Sequence, residues 1–289
     1  MAKLLIDKPT LALIRLAVRE DLGTGDVTTE GTIRASTRVR ARIVAREAGV
    51  VAGLPIIAAV LREFGSRARV TLKSRDGARV RRGQTLAVLD GPARGILGAE
   101  RAILNFLQRL SGVATLTRTF VDAVRGTRAR IYDTRKTTPG WRALAKYAVR
   151  AGGGCNHRMG LYDQALVKDN HLAALRARGE SLAAALRRLR ARRPGLFVMV
   201  EADDARGVRD AVAAGADAVL LDNMTPGQLA KMVRLVRSMP GGRTVALEAS
   251  GGVTLGVVRA IAKTGVDRIS IGALTHSAGA LDIAMDFEE

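Results

Sequence analysis

The sequence predicts an α/β protein whose main body is a closed or nearly closed barrel of parallel strands. Three observations carry this reading. From Arg128 onward, short apolar runs alternate with helical patterns six times. Each run ends in a polar or small residue, the place where a barrel keeps its chemistry. The chain is 47% hydrophobic but only 3% aromatic. Its core is therefore Ala, Val, Leu and Ile, which suits buried parallel strands under Ala-rich helices.

The elements follow in chain order. The opening MAKLLIDKPTLALIRL is interrupted by Asp7 and Pro9 before a signal-peptide apolar run forms. No stretch approaches the roughly 20 apolar residues of a membrane helix, so no membrane partner is expected. Glu20 to Thr29 reads as a helix end and a turn. Residues 35–95 carry β-branched runs at Val39–Ala45, Val70–Lys73 and Thr85–Leu89, with Asp76-Gly77 as a turn signal. A helical pattern covers about Gly95 to Ser111, with apolar Ile96, Ile103, Leu107 and Leu110 at helical spacing.

The barrel runs come next. Ala129–Tyr132 leads into Asp133, Ala165–Val167 into Lys168, and Phe197–Val200 into Glu201. Ala218–Leu221 leads into Asp222, Val245–Leu247 into Glu248, and Ile269–Ile271 into Gly272. Thr225 before Pro226, and Thr254, are expected to cap two of the intervening helices. No GxGxxG follows a strand, which argues against a dinucleotide fold.

Composition bounds function. The formal charge is +20, from 47 Lys and Arg of which only 8 are Lys. The arginines are spread along the whole chain, so the charge points to a basic surface and an anion site. Nucleic acid is expected to bind only non-specifically, at low salt. One cysteine, Cys155, permits no intrachain disulfide and fits a reducing, cytoplasmic setting.

The strand ends supply the candidate site. Arg135 and Lys136 in Asp133-Thr134-Arg135-Lys136 can meet two anionic groups of one ligand. The glycine run Gly152–Gly154 leads to His157 and Arg158, which present donors, and Lys168 follows at the next strand end. Buried cations without partners are costly, so this cluster implies a polyanionic ligand. Glu201 and Asp222, on the next two strand ends, suit Mg²⁺ arriving on a phosphorylated ligand. Ser250-Gly251-Gly252 and the stretch from Gly272 are glycine-rich late loops of the kind that hold phosphate. The three histidines match no short zinc motif.

At this point the sequence resembles the quinolinate phosphoribosyltransferase family. The resemblance rests on EDLGTGDVTT (20–29), ERAILNFLQRLSGVAT (100–115), DTRKTTPG (133–140), GGGCNHR (152–158), VKDNH (167–171), LLDN (220–223), EASGG (248–252) and ISIGALTHS (269–277). It implies an N-terminal α/β sandwich, residues 1–112 with 274–289 returning to it, and an incomplete, irregular α/β barrel over 113–273. It implies a reaction joining quinolinate to 5-phosphoribosyl 1-diphosphate, with Mg²⁺ on the phosphates, to give nicotinate mononucleotide, pyrophosphate and CO₂.

The resemblance also implies roles. Lys136, Lys168, Glu201 and Asp222 are the expected catalytic set. Substrate contacts are expected from these four and from Thr134, Arg135, His157, Arg158, Ser250, Gly251, Gly252, Ile271, Gly272 and Ala273. It further implies a homodimer or higher oligomer with shared sites, Arg101 entering the partner's site. Two alternatives stay open on residues alone: a paralogue using another anionic substrate, and a nucleic-acid-binding protein on an inactive barrel.

Overall fold

The computed structural model describes residues 4–288; residues 1–3 and 289 of the expected first domain lie outside it. α1 (Lys8–Leu22) and α2 (Val27–Thr32) open the chain, each started by an aspartate cap. Asp7 accepts from Thr10 N at 3.0 Å, and Asp26 from Thr29 N at 2.9 Å. β1 (Arg38–Ala45), β2 (Gly49–Val50), α3 (Leu54–Glu63), β3 (Arg69–Leu72), β4 (Arg79–Val80) and β5 (Thr85–Pro92) follow. The long α4 (Ala93–Ala123) comes next.

The second half alternates. β6 (Arg130–Tyr132), α5 (Arg142–Ala151), β7 (Ala165–Val167), α6 (Asp169–Ala177) and α7 (Leu182–Arg192) precede β8 (Val198–Ala202). Then come α8 (Ala205–Ala213), β9 (Ala218–Asp222), α9 (Pro226–Ser238), β10 (Ala246–Ser250), α10 (Leu255–Lys263), β11 (Arg268–Ser270), α11 (Ala273–His276) and β12 (Ile283–Phe287).

Two units result: residues up to Arg118 with Thr137–Gly153 and the chain from Ala273, and Thr119–Lys136 with Gly154–Gly272. The first holds an antiparallel sheet in the order β12-β1-β5-β3. β1 turns Arg38, Arg40 and Arg42 to solvent and buries Ala41 and Ile43, the period-two pattern of a half-solvated strand. Arginines on and just after it meet acids on and just after the C-terminal strand: Arg40 Nε is 3.0 Å from Glu288, and Arg46 hydrogen-bonds Asp286.

The expected cut at 112/113 falls inside α4, and the helix predicted to end near Ser111 runs on to Ala123. Gly112 does not stop it, because it serves close approach. A Cβ there would lie 1.8 Å from the Gly279 carbonyl oxygen. The segment Thr137–Gly153 joins the first unit through side chains far away in sequence. Trp141 stacks on Phe106 with ring centroids 5.0 Å apart, and the Tyr147 hydroxyl donates to Asp76 at 2.6 Å. Asp76 also caps α3 by accepting from Gly53 N and Leu54 N, each at 3.0 Å.

The second unit is a six-stranded, all-parallel sheet in the order β6-β11-β10-β9-β8-β7. β6 and β7 end the order and do not pair, so the barrel is incomplete at that seam. Cys155 takes part of the missing strand's place. It bridges Tyr132 in parallel, its N–H donating to Ile131 O at 2.8 Å and its carbonyl accepting from Asp133 N at 3.1 Å. Thr225 caps α9 in a reciprocal box with Gln228. Thr254 stands at the cap position of α10 without a capping hydrogen bond from its side chain, a correction to the expected cap.

Candidate active site

Successive residues of a strand face opposite ways, and this alternation builds the site. β10 directs buried Leu247 and Ala249 to one side and Ala246, Glu248 and Ser250 to the other. At the base of the barrel interior Met199, Ala218 and Leu220 pack with Leu166, Phe197 and Ala246. Above this apolar plug opens a cavity of about 290 Å³ whose lining includes residues from all six strands or their ends. Thr134, Arg135 and Lys136 come from the turn after β6, and His157 and Arg158 from the loop before β7. Lys168, Glu201, Asp222 and Ser250 stand at the ends of β7 to β10, with Glu248 and Ser270 deeper. A larger cavity of about 400 Å³ among α6, α7 and α8 holds only the scattered charges Arg176, Glu180 and Asp210, so the chemistry is placed at the strand ends.

Two aspartates shape the cationic wall. Asp133 is fully buried and accepts the His157 backbone N–H at 2.8 Å. Asp163 accepts from Met159 N at 2.7 Å and Gly160 N at 2.9 Å, curling the loop after Arg158. The Arg158 backbone N–H donates to His157 Nδ1 at 2.8 Å, which leaves the ring proton on Nε2. Burial, and then the charge of Arg135 nearby, pull the Arg158 guanidinium below its ordinary pKa, with Asp163 opposing. Arg135 Nε is buried without a hydrogen-bond partner. Two neighbouring, partly desolvated guanidinium groups are chemically suited to an anion.

The rest of the lining is mixed. Lys168 Nζ lies 3.6 Å from Glu201 Oε2, the lysine half exposed and the glutamate mostly covered. The Lys168 backbone N–H donates to His171 Nδ1 at 3.1 Å, giving that histidine a capping role. Asp222 accepts from the Asn223 side chain at 2.7 Å. Asn223 has φ +53°, and its N–H donates to Ser250 O at 2.9 Å. Gly251, at φ +90°, is required here, since a Cβ would come within 2.0 Å of Asn223 Oδ1. Among the described residues no group of three or more His, Cys, Asp or Glu forms a metal cage. Glu201 and Asp222 thus offer a pair of oxygen donors, which fits a Mg²⁺ carried mostly by phosphates and water.

Of the expected residues, Thr134, Arg135, Lys136, His157, Arg158, Lys168, Glu201, Asp222 and Ser250 line the cavity. Gly251 and Gly252 continue the chain from Ser250 without being part of the lining. Ile271 is buried and its N–H is used by Tyr132 O at 2.9 Å, and Gly272 and Ala273 carry the chain to α11. Arg101 lies on α4 in the first unit, its side chain 57% exposed and 3.9 Å from Glu100.

Sequence reasoning did not assign a role to Glu248. It has no solvent exposure, lines the cavity, and its Oε1 lies 3.5 Å from His157 Nε2. Burial pushes its pKa up to about 7, while the Ser270 hydroxyl and the charge of Arg268 hold it down and Asp133 adds to the rise. In the sequence it reads as one more acid closing an apolar run, and only the length of β10, which runs on to Ser250, places it within the strand.

Known proteins match throughout. Family models described as the N-terminal and C-terminal domains of quinolinate phosphoribosyl transferase match residues 26–111 and 113–286. A nicotinate-nucleotide pyrophosphorylase (carboxylating) of Mycobacterium leprae is 48% identical over 276 residues, covering 94% of this chain and 95% of that one. A probable nicotinate-nucleotide pyrophosphorylase (carboxylating) of Bacillus subtilis is 43% identical over 267 residues, covering 92% and 89%. The structure of the nicotinate-nucleotide pyrophosphorylase from Francisella tularensis superposes with a TM-score of 0.90 at 35% identity, covering 99% of this chain and 98% of that one.

Proposed function

The chain belongs to the quinolinate phosphoribosyl transferase family, and from that premise we propose how this phosphoribosyltransferase of NAD biosynthesis works. Quinolinate and 5-phosphoribosyl 1-diphosphate are its substrates. Nicotinate mononucleotide, pyrophosphate and CO₂ are its products. The observation that carries the assignment of roles is the Arg135–Arg158 pair, two guanidinium groups crowded at one side of a strand-end cavity. Two adjacent carboxylates on a planar ring are the anion that such a pair matches.

The roles follow from placement. Arg135 and Arg158 hold the dicarboxylate, and His157 lines the same cavity and faces Glu248. Lys136 and Lys168 reach the diphosphate, with Thr134, Ser250, Gly251 and Gly252 and the turn Ile271–Ala273 around the phosphates. Glu201 and Asp222 face the sugar carbon as positive charge grows on it, and they would hold the phosphate-borne Mg²⁺, which would supply neutralising charge for the pyrophosphate. When the ring carboxylate leaves as CO₂, its electron pair stays on the ring carbon beside the pyridinium nitrogen until a proton from solvent takes its place. The cations of the wall stabilise that charge. Much of the acceleration comes from holding two anions together in reacting order.

The test is direct. Purified protein with quinolinate, phosphoribosyl diphosphate and Mg²⁺ forms nicotinate mononucleotide, and omission of Mg²⁺ slows it. No product under these conditions overturns the proposal.

The exposed Arg101 supports a shared site in a dimer, in which it reaches the partner's dicarboxylate. Mixing an Arg101→Ala variant with a Lys136→Ala variant is expected to restore about a quarter of wild-type activity by statistical reassortment into hybrid dimers. Absence of recovery, once subunit exchange is demonstrated, refutes shared sites.

A further inference from the structure

Among the charged groups lining the cavity, Glu248 is one the proposed reaction leaves without a task. It sits one pleat below Ser250 and level with Leu220 of the neighbouring strand, its partner in register. A leucine would suit that apolar layer. A buried carboxylate there costs stability, unless a partner needs it. No hydrogen bond satisfies either carboxylate oxygen; His157 Nε2, 3.5 Å from Oε1, faces it at an electrostatic distance that a small ring movement closes.

The groups that face it are His157 from the loop before β7, Arg268 and Ser270 from β11, and Asp133 and Tyr132 at the end of β6. Arg268 is held in place by two rings. Its guanidinium carbon lies 5.0 Å from the Tyr132 centroid and 4.9 Å from the Phe197 centroid, a cation–π sandwich. The barrel interior thus carries a polar column of Arg268, Glu248 and His157 through an otherwise apolar core.

We propose that Glu248 is a positioning residue for the substrate grip: its carboxylate, 3.5 Å from His157 Nε2, holds the imidazole in the tautomer and orientation that set Arg158 beside Arg135. The steps are geometric. His157 Nδ1 accepts the Arg158 backbone N–H, so Nε2 carries the ring proton and points its donor toward Glu248. A carboxylate is the matching acceptor. Without it, the Nε2 donor faces a neutral floor, and the ring gains freedom to leave the Arg158 amide. The two guanidinium groups repel, so loosening this anchor lets them separate. The proposal rests on the dicarboxylate reading of the pocket and adds the device that keeps it assembled.

The experiment compares Glu248→Gln and Arg268→Met with the wild-type enzyme between pH 5.5 and 9, varying each substrate in turn. Glutamine keeps the size and removes the charge. For E248Q the KM for quinolinate is expected to rise about tenfold, as for the loss of a group that orients a histidine from behind. The KM for phosphoribosyl diphosphate stays within about twofold, since those contacts are elsewhere. Wild-type kcat/KM for quinolinate should fall on the acid side as Glu248 takes up its proton, and E248Q should lack this limb. R268M removes a charge that favours the carboxylate, so its acid limb should move to higher pH. An unchanged quinolinate KM in E248Q, or an acid limb that survives E248Q or ignores R268M, overturns the role. A wild-type protein that makes no nicotinate mononucleotide instead overturns the underlying function.

Discussion

Nicotinate offered in place of quinolinate is expected to be used about a thousandfold less well, measured as kcat/KM. Nicotinate carries one carboxylate, and the cationic wall is built for two. Arg158 is partly desolvated beside Arg135, and the Arg135 Nε atom is buried without a partner. With one carboxylate missing, at least one of these groups is left without its anionic partner in the complex. A charge-assisted hydrogen bond contributes about 1.5–3 kcal/mol, and leaving a buried charged group unsatisfied adds its desolvation cost. Together these reach the three or more decades of discrimination seen where a site built to bond a polar group meets an analogue lacking it. Steady-state kinetics with both acids, following phosphoribosyl diphosphate consumption, decides the matter. Comparable turnover of the two shows that the wall grips a single carboxylate and that its surplus charge serves something else.

The strand ends were legible because each barrel strand is a short apolar run closed by one polar or small residue. Such runs need no tertiary knowledge. Lys168, Glu201, Asp222 and Ser250 are therefore legible as candidates, and they line one cavity. The resemblance added residues that spacing could not supply, Arg101 above all.

What sequence reading did not reach depends on three-dimensional closure. Glu248 and Asp133 look like solvated acids at strand ends, yet both have no solvent exposure. Their position becomes evident only once Cys155 bridges Tyr132 at the open seam and brings His157 over them. The length of α4 was missed because Ser111-Gly112 reads locally as a stop. Ser111 instead donates to Ala52 O at 3.3 Å, and Gly112 admits the Gly279 carbonyl. Likewise Trp141 and Tyr147 find Phe106 and Asp76 across 35 and 71 residues of sequence, separations over which local pattern carries no information.

Glu248→Gln, expected to weaken substrate binding, is also expected to make the protein more stable at pH 8, and by less at pH 5. The folded-state pKa of Glu248 is raised to about 7, chiefly by burial, whereas in the unfolded chain a glutamate titrates at its ordinary 4.5. Between these two values the folded protein keeps a proton that the unfolded chain has released. Stability therefore falls as pH rises through this window and levels off above it. The shift corresponds to on the order of 3 kcal/mol at pH 8. Glutamine never ionises, so the variant escapes this loss. Its amide forgoes the attraction of Arg268, which the raised pKa already reflects as the smaller effect. At about 2–4 °C per kcal/mol for chains somewhat shorter than this one, the melting temperature of the variant should exceed that of the wild type by roughly 5 °C at pH 8. At pH 5, where the wild-type carboxyl is largely protonated in the fold, the gap should nearly close. Thermal melts of both proteins across pH 4.5–9 measure this, and parallel curves for the two would show that Glu248 does not carry a proton into the folded state. A variant that melts higher while gripping quinolinate less well identifies the buried acid as a group retained for substrate binding at a cost in stability.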